Sequence, residues 1–198
     1  FKVINKKTIS RSFIEPINNF ITKYGRFAVL ILTLIAFYRI ADVVMGVMAN
    51  IFYLEKGYKI SEIATYSKFF GVFATIFGGF IGGFCAFKFG TMKTLFFGAL
   101  IAASSNLLFA WLAVSPTSIN FLITVITADN ISSGFAGAAF VIYLSGLTSI
   151  KFTATQYALF SSIMLFLPKL IAGYAGSWVD IMGYSYFFSL TALLGLPV

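Results

Sequence analysis

Few residues in this chain are able to do chemistry, and most of them lie inside long apolar runs. Asp129 and Asn130 stand together in one run, followed by Ser132, Ser133, Gly134 and Gly137. Arg39 and Asp42 share another run, three residues apart, a spacing that puts both on one face of a helix. Lys169 directly follows Pro168 in a third run, and Gln156 lies near the start of that run. An ionisable group within a hydrocarbon layer costs roughly 3 kcal/mol or more unless it is paired or hydrated, so its presence points to a polar solute or a proton. Asp129, Asn130, Arg39, Asp42, Lys169 and Gln156 are therefore the candidate translocation residues. Other chemistries are excluded. The chain has no histidine, so imidazole triads and imidazole metal sites cannot form. Its one cysteine, Cys85, forms neither an internal disulfide nor a thiolate cage. Without a nucleophile and base at one depth, an enzyme is a poor reading, and no metal or cofactor is expected.

Each candidate has two readings. Arg39 and Asp42 form either a self-neutralising ion pair or a pair facing a central cavity. Asp129 has no basic neighbour in sequence. An isolated carboxyl in a low dielectric favours its neutral form, the property needed to load and release a proton. The alternative is pairing with Arg39 or Lys169 across a bundle. Lys169 is either a cation for an anionic solute, beside a helix broken at Pro168, or a side chain snorkelling to the headgroups. Gln156 and Tyr157 sit where a gate is as natural as a site. Gly78, Gly79, Gly82 and Gly83 make overlapping GxxxG patterns, which let helices approach closely. Gly173 and Gly176 read similarly, and Cys85 reads as a small packing residue.

The solvent that must surround these residues follows from composition. Of 198 residues, 60% are hydrophobic and 10% charged, against about 25% charged in a soluble domain. Mean hydropathy is +0.95. A spanning helix needs about 20 mostly apolar residues. Such segments are expected at 27–53, 69–88, 93–114, 118–146 and 155–176. A sixth starts near Gly183 and is cut short. The runs are too long and continuous for barrel strands. The chain opens at Phe1 rather than Met and stops at Val198 within an apolar run, so it reads as an internal segment of a longer protein.

The linking segments set an orientation. Lys2, Lys6, Lys7, Arg11, Lys23, Arg26, Lys88, Lys93 and Lys151 fall on one side, and Lys56, Lys59 and Lys68 on the other. The positive-inside rule then places the N-terminal side in the cytoplasm. The net charge of +8 is accordingly an orientation signal facing anionic lipid, not a nucleic-acid footprint. Residues 1–24 read as a basic cytoplasmic linker. Within it, Phe13, Ile17, Phe20, Ile21 and Tyr24 recur at helical spacing over 9–24, predicting an amphipathic helix on the membrane face, with Pro16 kinking it or starting its second half. Residues 25–198 read as the transmembrane bundle.

Two stretches carry a resemblance. The link Gly82-Gly83-Phe84-Cys85-Ala86-Phe87-Lys88-Phe89-Gly90-Thr91-Met92-Lys93 resembles, in degenerate form, the major facilitator loop G-x-L-a-D-r-x-G-r-k. Lys88, Gly90 and Lys93 match, while Phe87 stands where that family carries an acid. More specific is 129–160, with its Asp129-Asn130 start, the Ala138-Ala139-Phe140-Val141 core and the run Phe152-Thr153-Ala154-Thr155-Gln156-Tyr157-Ala158-Leu159. The tail 172–188 continues it with Ala172-Gly173, Gly176, Val179-Asp180 and Gly183-Tyr184, and upstream Pro16, Phe20 and Tyr38-Arg39-x-x-Asp42 fit as well. Together these are similar to the C-terminal half of the AmpG family of muropeptide permeases. The resemblance implies an all-α membrane protein, the six-transmembrane-helix half of a twelve-helix major facilitator transporter, holding helices seven to twelve. It also implies proton-driven import of anhydro-muropeptides across a bacterial inner membrane during cell-wall recycling, with the N-terminal six-helix half as partner. Acetyl-CoA carriers look similar to this family, so another anionic cargo is the alternative, as is a split or non-functional half-transporter.

Overall fold

The computed structural model describes residues 14–195. Residues 1–13, with Lys2, Lys6, Lys7, Arg11 and Phe13, lie outside the described residues, as does the end of the sixth apolar segment beyond 195. Among the described residues every regular element is helical. In chain order they are α1 (Glu15–Tyr24), α2 (Phe27–Phe37), α3 (Ile40–Glu55), the short α4 (Ile60–Ile63), a wide-turned π segment (Ala64–Phe70), α5 (Gly71–Phe89), α6 (Thr91–Val114), α7 (Ile119–Leu147), a single tight turn (Ile150–Phe152), α8 (Thr153–Ala172) and α9 (Ala175–Leu194). Five helical stretches are long and apolar enough to cross a membrane: Phe27–Glu55, Ile60–Phe89, Thr91–Val114, Ile119–Leu147 and Ile150–Ala172.

Four details differ from the sequence expectation. The first span is two helices, α2 and α3, meeting at Tyr38-Arg39. The second begins at Ile60, so Lys68 falls within the helical run and not in a link. Pro168 does not end α8, which runs on to Ala172, although its ring removes the backbone bond to the carbonyl four residues earlier. The last helix starts at Ala175, eight residues earlier than expected. It bends at Gly183, whose φ of 76° suits glycine. Its first half carries Asp180, and α9 is not among the five apolar stretches.

The interior is two apolar clusters separated along the helices. One gathers Val44, Met48 and Phe52 of α3, Phe109 and Leu112 of α6, Leu122, Val125 and Ile126 of α7 and Phe187 and Phe188 of α9. The other gathers Phe20, Ile35, Tyr38, Leu95, Phe140, Leu144 and Phe160. Tyr38 and Phe140 stack at 4.6 Å, and Phe52 meets Phe188 edge-on at 5.0 Å. Between the clusters, α7 exposes to its neighbours a short polar stretch from Asp129 to Ser133.

That stretch is reached because α5 and α7 touch backbone to backbone. Gly78 and Gly82 of α5 pack on the carbonyls of Ile131 and Phe135, and Gly134 of α7 packs on the Thr75 carbonyl. A Cβ at Gly134 would come within 2.1 Å of that oxygen, whereas Gly83 faces open space. Gly134→Ala is therefore expected to destabilise the bundle by about 1–3 kcal/mol through overpacking. Gly83→Ala is expected to be neutral or mildly stabilising, since alanine is the better helix former. Melting temperatures of the two variants in one detergent would check this contrast.

Candidate functional site

The break between α2 and α3 builds the centre of the site. Arg39 sits at the junction with φ −100° and ψ 8°, outside helical geometry. Its cation follows the carbonyl end of α2, and Asp42 occupies the first turn of α3, so each charge meets the helix end of opposite partial charge. Arg39 Nε lies 3.2 Å from Asp42 Oδ2, in ion-pair range but not aligned as a hydrogen bond. The two side chains are 22% and 14% exposed. Tyr38, one residue earlier, donates its hydroxyl to the Leu95 carbonyl of α6 at 3.1 Å and so fixes the junction against the bundle.

The guanidinium reaches across to α7. Arg39 Nη2 donates to Ser133 Oγ at 3.4 Å, and Nη1 lies beside Gly137, where a Cβ would come within 3.3 Å. Asp129 is one helical turn before Ser133 on the same face, the side of α7 that the Arg39 guanidinium reaches. Arg39 and Asp42 form an ion pair there, with Asp129 one turn along α7. Among the described residues no hydrogen bond is made to the Asp129 carboxylate. Its backbone carbonyl accepts from Ser132 Oγ at 3.1 Å, and Ser132 Oγ also lies 3.1 Å from Ser105 Oγ of α6.

The other candidates fall elsewhere. Asn130 turns toward α5: Thr75 Oγ1 donates to its Oδ1 at 3.0 Å, and its Nδ2 donates to the Ile126 carbonyl at 2.8 Å. It sits over Gly71, where a Cβ would meet the amide at 3.1 Å. Lys169 is exposed in the last turn of α8, outside the Arg39 cluster. Gln156 is 1% exposed and ties three elements together. Its Nε2 donates to the Pro16 carbonyl at 2.9 Å and to Asn19 Oδ1 at 3.3 Å, and its Oε1 accepts from the Ser149 N–H at 2.7 Å. With Lys23 and Tyr24 both donating to the Leu147 carbonyl at the end of α7, Gln156 holds α1 against the loop before α8. Pro16 lies in the first turn of α1.

Two polar residues of the belt escaped the sequence reading as site members. Ser133 was legible as the i+4 partner of Asp129. Asn106 of α6 is fully buried, and neither atom of its amide has a hydrogen-bond partner among the described residues. A lone amide deep in an apolar span was its signal.

Over 184 residues the chain is 36% identical to "Putative transporter AmpG 4" of Rickettsia conorii, covering 93% of the chain and 44% of that protein. The chain is homologous to AmpG-named transporters. "Putative transporter AmpG 1" of Rickettsia bellii is 33% identical over 86% of the chain, and "Putative transporter AmpG 3" of Rickettsia prowazekii is 30% identical over the whole of this chain. The chain spans less than half the length of these AmpG-named relatives, 42% and 45% in the last two. No protein-family model matches it. With five apolar stretches long enough to cross a membrane among the described residues, the chain is a multi-pass membrane protein.

Two measurements follow. Arg39→Gln is expected to cost about 2 kcal/mol, less than for a fully buried pair because both side chains keep some exposure, and Arg39→Gln with Asp42→Asn is expected to recover part of that loss. A double-mutant cycle of thermal unfolding in detergent would measure the coupling. Gln156→Leu leaves the Ser149 N–H and the Pro16 carbonyl without that partner, at about 1–3 kcal/mol. It is expected to release α1, read as faster trypsin cleavage at Lys23 and Arg26.

Proposed function

We propose that the chain is the C-terminal, six-helix half of a major facilitator transporter, and that the full protein imports anhydro-muropeptides across a bacterial inner membrane using the proton gradient. The observation that carries this is the Arg39–Asp42–Asp129 cluster, set at a helix break between two apolar clusters, in a chain homologous to AmpG-named transporters. Broken helices within membranes occur where backbone lines a solute path.

The charges suggest how such a site works. One guanidinium and two carboxylates leave the cluster one positive charge short of neutrality. A proton on Asp129 neutralises it and lets the site cross a low-dielectric region. Arg39 then has a free share of its planar donor fork for a cargo carboxylate, and the peptide of a muropeptide supplies such groups. Loss of the proton returns the charge to Asp129, which competes with the cargo for Arg39 and favours release. Asp42, already beside Arg39, keeps the cation oriented throughout. The N-terminal half would supply the facing wall, and the basic end of the bundle would lie in the cytoplasm.

Uptake of labelled anhydro-muropeptide in cells lacking their own permease tests this, comparing the full-length protein with its Asp129→Asn form. Gradient-dependent accumulation that falls at least tenfold in the amide variant, a loss of about 1.4 kcal/mol or more, is the expected result. Accumulation unchanged by the amide removes Asp129 from the coupling step. No accumulation from a correctly inserted protein overturns the muropeptide cargo in favour of another anionic solute.

A further inference from the structure

A second polar place lies at the end of the bundle away from α1. A cavity of about 320 Å³ opens between α3 and the π segment, lined by Asn50, Ser67 and Lys68 together with Leu54, Ile60 and Ile63. It sits beside the α3–α4 turn, which is tied to the α6–α7 turn by Lys56 donating to the Ala113 carbonyl at 2.7 Å and Tyr58 to the Ser118 carbonyl at 3.0 Å. The undescribed residues adjoin other parts of the bundle. α1 is bonded to the far end of α7, and the described end of α9, Gly195, packs on Ala41 at the start of α3.

Lys68 has no ion-pair partner among the described residues. Its segment, Ala64–Phe70, has the wide turns of a π-helix, a geometry that recurs at functional sites. Gly71 and Thr75 follow Lys68 at helical spacing, and both meet the Asn130 amide of α7. On the opposite wall, Asn50 comes eleven residues after Arg39, three helical turns and about 16 Å, so the two share a face of α3. The register holds back to Arg39, whose carbonyl accepts the Val43 N–H at 3.0 Å. Gly46 lies between them on that face, and a Cβ there would meet nothing within 4 Å. An uncovered lane therefore runs along α3 from Asn50, past Gly46, to Arg39. A lipid-facing stripe would be apolar throughout, whereas this one carries an ammonium, an amide and a hydroxyl at one end and a guanidinium at the other.

We propose that Lys68, Asn50 and Ser67 form an outer subsite that captures a carboxylate of the anionic cargo before the cargo passes along α3 to Arg39. The ammonium supplies the charge, and the amide and hydroxyl donate hydrogen bonds to the same carboxylate. The inference rests on the transport reading above and adds a first station to it. A lysine suits that station, because its compact, strongly hydrated charge holds a carboxylate loosely at the water-facing end. The planar fork of Arg39 holds the same group in two places at once, so the cargo moves inward by exchanging the weaker cation for the stronger.

Two readouts on the full-length protein test the subsite, one of them independent of the cargo. In a Cys85→Ala background, Asn50→Cys is reacted from outside the cell with an anionic and a cationic methanethiosulfonate of similar size. The ratio of the two rates cancels any change in the thiol itself. The anionic reagent is expected to be favoured, and Lys68→Gln is expected to lower the ratio about fivefold, the effect of one unit charge at contact range in water. In uptake of labelled anhydro-muropeptide, Lys68→Gln is expected to raise KM about tenfold at unchanged maximal rate, the mark of a binding contact that chemistry or translocation does not use, and Lys68→Arg to restore it. Gly46→Phe is expected to block uptake while leaving Asn50→Cys reactive, with Gly46→Ala as the matched control. A reagent ratio that Lys68→Gln leaves unchanged overturns the subsite. So does an unchanged KM in a transporting Lys68→Gln protein, or an unreactive Asn50→Cys in an inserted protein, which gives the cavity to another part of the full-length chain. If the wild type takes up no muropeptide, the cargo reading falls and the reagent ratio alone decides the subsite.

Discussion

Everything in this bundle depends on how closely α5 and α7 approach. Hydrocarbon offers no hydrogen bonds, so a helix can carry polar side chains across its middle only if neighbouring helices satisfy them. Gly78, Gly82 and Gly134 remove the side chains that would hold the two backbones apart. That contact brings Thr75 within 3.0 Å of Asn130 and settles the rotation of α7. With Asn130 turned to α5, Ser132 turns to α6 and Ser133 to Arg39. Three residues within four positions of one helix thus serve three different partners.

The second constraint is the break at Tyr38-Arg39. A continuous helix would leave Arg39 with its neighbouring carbonyls and amides already paired. The break instead gives the cation the carbonyl end of α2 and gives Asp42 the amide end of α3. The apolar clusters on either side keep it in place. The Tyr38 ring stacks on Phe140 while its hydroxyl reaches Leu95, and Ile40 and Val44 enter the other cluster. The polar belt is therefore held by packing above and below it and needs few hydrogen bonds of its own. Among the described residues the Asp129 carboxylate has none.

At the basic end, α1 is joined to the bundle by polar bonds from Gln156, Lys23 and Tyr24 and by the Phe20–Phe160 contact at 4.9 Å. Lys23 places its charge against the last carbonyl of α7, where a helix end carries partial negative charge. The amphipathic segment is thus tied to the ends of α7 and α8, the former being the helix that carries Asp129. Any motion of α7 is felt by α1, and the reverse.

Much was legible in the residues alone. Apolar runs of about 20 residues place helices in lipid whatever they pack against, because only a helix satisfies its own backbone there. The glycine spacing in α5 announced a close helix contact, and the intramembrane charges announced themselves by their cost. What the sequence could not decide were matters of partnership and rotation. Asn130 and Asp129 are adjacent and both polar, yet the Asn130 amide is bonded to Thr75 and the Ile126 carbonyl while no hydrogen bond to the Asp129 carboxylate is made among the described residues. Gln156, read as a translocation residue or a gate, bonds α1 and the loop before α8, a partnership its position alone did not announce. Pro168 looked like the helix break, while the break lies at Arg39, a residue with no intrinsic tendency to end a helix. Local propensity acts within about one turn. These outcomes depend on which neighbour reaches a given face at a given depth, and only the packed bundle specifies that.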